Sequence, residues 1–422
     1  MDATLCCCFN QTAGTLGPSH ALSFYLHAAV IEQEKKMVDL TRRGLLTSAA
    51  AAMVTLPTMN VLAQAPAASI GAGGPISAGA AASIDPLSVV DKELVPALQA
   101  MQSQAPSLPN DALANVTLDQ LKVLLPQLRE AMAQDVVPVP ALANSAPAEE
   151  RMIPGPEGAP QVRIFVIGAM SGARRPAVLH IHGGGFILGD VQSYVPFLQS
   201  YALALDCVVV SVDYRLAPET AFPGSLEDNY TALKWLYDNA EELGVDPTRI
   251  ALAGESAGGG HAAMLSIAAR DRGEVPVLFQ ALTYPMLDDR TGSTQQLPGH
   301  IGAFGWTPAF NRIGWKSLLG ETPGVDAPAG AVPARVEDLS GLPPTWIGVG
   351  SIDLFVNEDI EFARRLVFAG VPTELLVTPG AYHGFDASVP TAKISQAFNL
   401  ARANALARAF GNGPISQIPS FS

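Results

Sequence analysis

Arg249-Ile250-Ala251-Leu252-Ala253-Gly254-Glu255-Ser256-Ala257-Gly258 carries the pattern that decides the fold. An apolar run, Arg249 to Ala253, reads as a short buried strand, and the alanine-rich run from Gly259 to Arg270 reads as a helix. Between them, Gly254-Glu255-Ser256-Ala257-Gly258 fits G-x-S-x-G, a serine on a sharp strand-to-helix turn. Such a turn strains the backbone at the serine and leaves no room for side chains two residues to either side. Gly254 and Gly258 meet that demand. The turn would lift the Ser256 hydroxyl clear of the backbone. It would also place the Ala257 amide at a helix N-terminus, facing developing negative charge.

Working outward, Ala177 to Ile181 is an apolar strand that runs into His182-Gly183-Gly184-Gly185-Phe186. Three glycines in a row oppose any regular element, so bare backbone is needed there. A phosphate-binding turn would end in Gly-Lys-Ser/Thr or show G-x-G-x-x-G spacing, and neither is present. The glycines read instead as an oxyanion-binding loop. The serine also needs a base. The chain has 7 histidines. His20 and His27 lie in a segment outside the expected mature protein, and His180 and His182 flank the strand before the glycines. His182 reads as a brace for that loop. His261 falls on the helix after Ser256, and His300 in a Gly- and Pro-rich insertion. His383 follows the predicted strand Glu374 to Thr378, on a loop at the end where an open α/β sheet presents its catalytic groups. Asp353 occupies the equivalent place after the predicted strand Thr345 to Gly350, and is preferred as the orienting acid over Glu358 and Asp359, which open the next helix. The chain order is then Ser256, Asp353, His383.

The chain resembles the hormone-sensitive-lipase family (bacterial family IV) of α/β-hydrolase esterases over roughly residues 85 to 410. The matching pieces are His182-Gly183-Gly184-Gly185-Phe186, Val212-Asp213-Tyr214-Arg215-Leu216-Ala217-Pro218-Glu219, Phe222-Pro223, Gly254-Glu255-Ser256-Ala257-Gly258-Gly259 and His383-Gly384-Phe385. The resemblance implies that Gly184, Gly185 and Ala257 supply oxyanion-hole amides. The family's acid motif usually reads Asp-Pro-Leu-x-Asp-Glu; here it is Asp353-Leu354-Phe355-Val356-Asn357-Glu358, so the Pro and the second Asp are lost. The implied activity is serine carboxylesterase action on short- to medium-chain esters, without metal or organic cofactor. The alternatives on the same triad are an amidase, an arylformamidase or a transacylase. A non-enzymatic small-molecule receptor would be expected to lack a triad member.

Strand-like runs at Val162–Gly168, Ala177–Ile181, Cys207–Val212, Arg249–Ala253, Leu278–Tyr284, Thr345–Gly350 and Glu374–Thr378 alternate with helical stretches. That alternation predicts an α/β fold: a mostly parallel central sheet flanked by helices. The apolar fraction of 48% in 422 residues is ample for such a core. Residues 85–150 read as a helical cap segment, with Leu113, Val116, Leu121, Leu124, Leu125 and Leu128 at near-helical spacing between Pro-rich breaks at Pro106–Pro109 and Pro138–Pro147. Residues 151–411 form the expected catalytic domain, with a second cap piece at about 287–335 and a tail at 412–422. Phe304, Trp306, Phe310, Trp315 and Leu318 in that insertion read as cap core or acyl-pocket wall. Arg215 and the carboxylates of the Asp213–Glu219 run read as a network supporting the loops.

Arg42-Arg43 before the mildly apolar run Leu45 to Ala63, followed by Ala63-Gln64-Ala65, reads as a twin-arginine export signal over residues 37–65. The run is interrupted by Pro57 and Asn60, and a membrane span needs roughly 20 apolar residues. Met37 is the expected initiator, residues 1–36 an upstream extension, and residues 66–84 a flexible tether. Cys6, Cys7 and Cys8 fall in the extension, which leaves Cys207 as a core residue and no disulfide. Lys35, Lys36, Arg42 and Arg43 balance Asp2, Glu32, Glu34 and Asp39, so the formal charge of −14 belongs to the mature part. An acidic surface argues against nucleic acid and against stable association with anionic membranes. The expected partner is a small-molecule ester, and the expected location is periplasmic or secreted.

Overall fold

A computed structural model describes residues 84–104, 116–134 and 145–419. The expected extension, export signal and most of the tether, with Cys6, Cys7, Cys8, His20, His27 and Leu113, lie outside the described residues. The strands are β1 (Ala148–Ile153), β2 (Val162–Ile167), β3 (Arg175–Ile181), β4 (Val208–Asp213), β5 (Val245–Glu255), β6 (Phe279–Thr283), β7 (Thr345–Gly350) and β8 (Thr373–Thr378). They form one sheet in the order β1-β2-β4-β3-β5-β6-β7-β8. From β4 onward neighbouring strands are parallel, while β2 runs antiparallel to both β1 and β4. This is the α/β-hydrolase fold, with its mostly parallel sheet flanked by helices.

Alternate residues along the strands feed two apolar clusters. Ile164, Leu179, Val210 and Leu252 belong to one, together with Leu233 and Leu265 of the helices Gly224–Asp238 and Ala257–Arg272. Val178, Val209, Ala251 and Trp346 belong to the other, together with Leu198 and Phe398 of the helices Val195–Leu205 and Lys393–Ala409. A central strand buried on both faces must be apolar throughout, which is why β3 and β4 read as continuous hydrophobic runs. Cys207 is buried just before β4, and burial pushes its thiol up to about 12, so it is a small core residue.

Strand β1 corrects the expected boundary between residues 150 and 151, because it begins at Ala148 inside the segment read as helical cap. Its sequence, AEERMI, is charged and largely exposed, as an edge strand tolerates. The remainder of the segment contains the helices Val95–Gln104 and Leu118–Gln134. The first is preceded by a turn that docks on the loop carrying His383, where the Asp91 amide donates to the Gly380 carbonyl at 2.9 Å. The second buries Leu121, Leu125 and Leu128. It lies beside the helix Pro308–Leu319 of the insertion, whose Lys316 Nζ donates to the Val116 carbonyl at 2.7 Å.

Candidate active site

Ser256 sits between β5 and the helix Ala257–Arg272 with φ 57° and ψ −122°. That left-handed backbone costs of order 1–3 kcal/mol in a residue with a side chain, and persists only when its surroundings enforce it. Here the enforcement is steric and hydrogen-bonded. A Cβ on Gly254 would lie 2.3 Å from the Gly258 carbonyl oxygen, and one on Gly258 would lie 2.0 Å from that of Ile181. The Ser256 amide donates to Thr283, and its carbonyl accepts from Gly260 and Met286.

His383 Nε2 lies 2.9 Å from Ser256 Oγ, and His383 Nδ1 lies 2.9 Å from Asp353 Oδ2. The three side chains follow β5, β7 and β8 and are brought together at the C-terminal ends of these parallel strands. Asp353 is fully buried, and its other oxygen accepts the Phe355 amide at 2.9 Å. Ser256 is 7% exposed and His383 9%, so the centre is nearly dry. The imidazole is flanked edge-on by Tyr284 and Phe355, with ring centroids at 4.7 and 5.0 Å.

The rival acids go elsewhere. Glu358 accepts from the Leu287 and Asp288 amides and from Thr291 Oγ1, and burial holds its carboxyl well above the usual range. The Asp359 carboxyl is buried without a hydrogen-bond partner among the described residues, and burial raises it too. His182 and His261 are also occupied or inert. His182 Nδ1 donates to the Gly183 carbonyl and the ring stacks on Tyr214 at 4.3 Å, while burial lowers its pKa. It braces the loop. His261 is wedged between Phe186 and Tyr214, and burial lowers it to about 3.

Gly184 has φ 124° and Gly185 φ 60°. Their amides donate to no backbone or side-chain acceptor among the described residues. The Ala257 amide is the first of its helix and has no intrahelical acceptor. The Ile187 and Leu188 amides both donate to the Gly184 carbonyl, closing the loop into a tight turn. A Cβ on Gly184 would meet the Leu188 carbonyl oxygen at 2.1 Å, so the absent side chain is a packing requirement as well as a conformational one.

Several residues at the site carried no local signal. Glu255, next to Ser256, accepts from Arg402 Nη1 at 2.7 Å and lies 2.9 Å from His180 Nε2. Burial alone would raise its carboxyl, but the His180 and Arg402 partners hold it below the usual range. Buried charges persist only when paired and hydrogen-bonded, so this network anchors the helix Lys393–Ala409 under the Ser256 turn. The Trp306 ring lies against Gly185, where a Cβ would meet Cη2 at 2.1 Å, and Trp306 Nε1 donates to Asn311 at 3.1 Å. Gly305 packs on the His383 backbone, so the insertion touches both the His383 loop and the glycine loop. Arg215 corrects the expected network: its partner is Asp228, in bidentate contact, while Asp213 pairs with Arg163 and Glu219 with Arg129.

Comparison with known proteins agrees with this architecture. A family model described as alpha/beta hydrolase fold matches residues 178–387. The chain is 35% identical to esterase LipI of Mycobacterium tuberculosis over 271 residues, covering 63% of this chain and 82% of that protein. It is 39% identical over 217 residues to carboxylesterase NlhH of the same organism, covering 50% of this chain and 66% of that one. Among solved structures, a bacterial heroin esterase superposes with a TM-score of 0.64 at 36% identity, covering 77% of this chain and 99% of its own. The chain belongs to the hormone-sensitive-lipase-like family of α/β-hydrolase esterases, and it is a carboxylic ester hydrolase.

Proposed function

We propose that Ser256, His383 and Asp353 are the catalytic triad, and that the enzyme hydrolyses short- to medium-chain esters through an acyl-enzyme. The observation that carries this reading is the unbroken chain of contacts from Asp353 through His383 to Ser256. Ser256 Oγ attacks the ester carbonyl while His383 Nε2 takes its proton. Asp353 holds the His383 tautomer and stabilises the imidazolium. The Gly184, Gly185 and Ala257 amides receive the oxyanion. By comparison with other hydrolases, losing one such donor costs about 100–1000-fold in rate. His383 then protonates the leaving alcohol, and water, deprotonated by the same imidazole, releases the acid. The triad and these amides carry each step without a cofactor. The near-complete burial of Ser256, with Trp306 set against Gly185, favours a small acyl group.

Hydrolysis of p-nitrophenyl esters from acetyl to palmitoyl tests the reading. Turnover should be greatest on the short members and should depend on Ser256. A matched p-nitroanilide series and an alcohol acceptor test the amidase and transacylase alternatives. Faster turnover of the anilide, or net acyl transfer to the alcohol, would replace the esterase reading of the natural reaction.

The twin arginine Arg42-Arg43, the apolar run behind it and the small residues Ala63-Gln64-Ala65 support export and a periplasmic or secreted enzyme. Cell fractionation should find the enzyme exported and the Arg42→Lys/Arg43→Lys chain retained inside. Equal export of both would remove the twin-arginine assignment. The formal charge of −14 supports a small neutral or apolar ester as partner, in preference to nucleic acid or an anionic membrane.

A further inference from the structure

The helix Leu118–Gln134 shares an apolar cluster with Phe186, Ile187 and Leu188 of the glycine loop, and Arg129 adds polar contacts to it. Arg129 Nε donates to the Ile187 carbonyl at 2.7 Å, and Nη2 donates to the Ala217 carbonyl at 2.6 Å. Nη1 and Nη2 also donate to the two oxygens of Glu219, at 2.7 and 3.1 Å. Both carbonyls belong to the structure that shapes the oxyanion loop. The Ile187 amide donates to the Gly184 carbonyl, and the Ala217 amide donates to the Phe186 carbonyl. The guanidinium therefore closes a ring of contacts that runs from Ile187 through the Gly184 turn to Phe186, across to Ala217, and back. Gly184 is in close packing with the Leu188 carbonyl, so movement at Ile187–Leu188 is felt at Gly184 directly.

Arg129 is placed for this by the spacing of its helix. It follows Leu125 by four residues and Leu121 by eight, so it shares their buried face. Its side chain is 22% exposed, and its charge is met by the half-exposed Glu219. The planar fork suits two carbonyls and a carboxylate at once, which an ammonium cannot reproduce.

We infer that the N-terminal cap helix is a positioning element of the oxyanion hole, with Arg129 as its positioning residue. Docking of this helix sets the Gly184 and Gly185 amides, so the cap and the oxyanion hole assemble together. This inference rests on the reading of those two glycines as oxyanion donors.

Arg129→Gln tests it in the full chain, with folding verified by the thermal transition. The expected result is a fall in kcat of about 10-fold or more on p-nitrophenyl acetate with KM little changed, since displacing a donor costs part of its full effect. Inhibition by phenylboronic acid should weaken in parallel. Its boron takes the Ser256 oxygen as a fourth ligand, with the hydroxyl proton passing to His383 Nε2, and directs a boronate oxygen to the oxyanion donors. Arg129→Lys should fall between the two proteins. Glu219→Gln, which spares the carbonyl contacts, should stay within about 3-fold of the parent. A raised KM with unchanged kcat and unchanged boronate affinity would overturn the inference and leave the helix as a substrate cover. Should Arg129→Gln fail to fold, the same two readouts on Arg129→Lys decide the matter. Ser256-dependent turnover in the parent protein separates failure of this inference from failure of the triad reading, which would fall if that turnover were absent.

Discussion

Ser256→Ala is expected to lower kcat on p-nitrophenyl acetate by about a million-fold, the size seen when a comparable hydrolase loses its serine. The loss has two sources. The nucleophile is gone, and His383 Nε2 no longer has the hydroxyl 2.9 Å away from which to take a proton. The proposed oxyanion amides survive, so a residual rate about 1000-fold or more above water is expected. Fold and stability should survive as well, because alanine keeps the Cβ and the backbone contacts with Thr283, Gly260 and Met286 do not involve the side chain. A further comparison isolates the strain. Ser256→Gly accepts φ 57° without a Cβ penalty, and should be about 1 kcal/mol more stable than Ser256→Ala while equally inactive. Titration by urea of both variants, alongside the ester assay, measures the two effects separately. Retention of even a hundredth of the parent's kcat by Ser256→Ala would remove Ser256 as the nucleophile.

The elements that could be read in the sequence are those in which chemistry is forced to be local. The nucleophile turn needs small residues two positions either side of Ser256, and the glycine loop needs bare backbone, so both leave marks within a few residues. The buried strands β3, β4, β5 and β7 read as apolar runs because both of their faces are covered. Strand β1 did not, because an exposed edge imposes no apolar pattern and Glu149, Glu150 and Arg151 are free to sit there. Partnerships across the fold were also invisible. Nothing near Glu255 announces Arg402, which arrives from a helix near the end of the chain, and nothing near Arg215 distinguishes Asp228 from the closer Asp213 and Glu219. Arg129 did leave a signal: a cation on the apolar face of a predicted helix must meet an acceptor there. Its acceptors could not be named because they are backbone carbonyls of loops whose shape depends on the whole fold.

Asp353→Asn is the more discriminating substitution, because it changes one atom and the surroundings decide how that atom is used. The Phe355 amide donates to one carboxylate oxygen of Asp353 and the His383 Nδ1–H to the other. Asparagine has a single acceptor oxygen. If that oxygen faced His383, its NH2 would face the Phe355 N–H, leaving two buried donors opposed at a cost of about 1–3 kcal/mol for each. The favoured orientation therefore points the oxygen to Phe355 and the NH2 to His383. The imidazole must then accept at Nδ1 and carry its proton on Nε2, where it faces Ser256 and cannot take the serine proton. A fall in kcat of about 10,000-fold with the fold intact is expected, as in a serine protease given the same change. The control is Asp359→Asn, which alters a buried carboxyl on the same loop-helix junction with no contact to His383, and should cost less than about 10-fold. Both variants are assayed on p-nitrophenyl acetate, and 15N chemical shifts of His383 report which ring nitrogen is protonated. A proton still on Nδ1 in Asp353→Asn, or a comparable loss in Asp359→Asn, would dismiss Asp353 as the residue that sets the tautomer of the base.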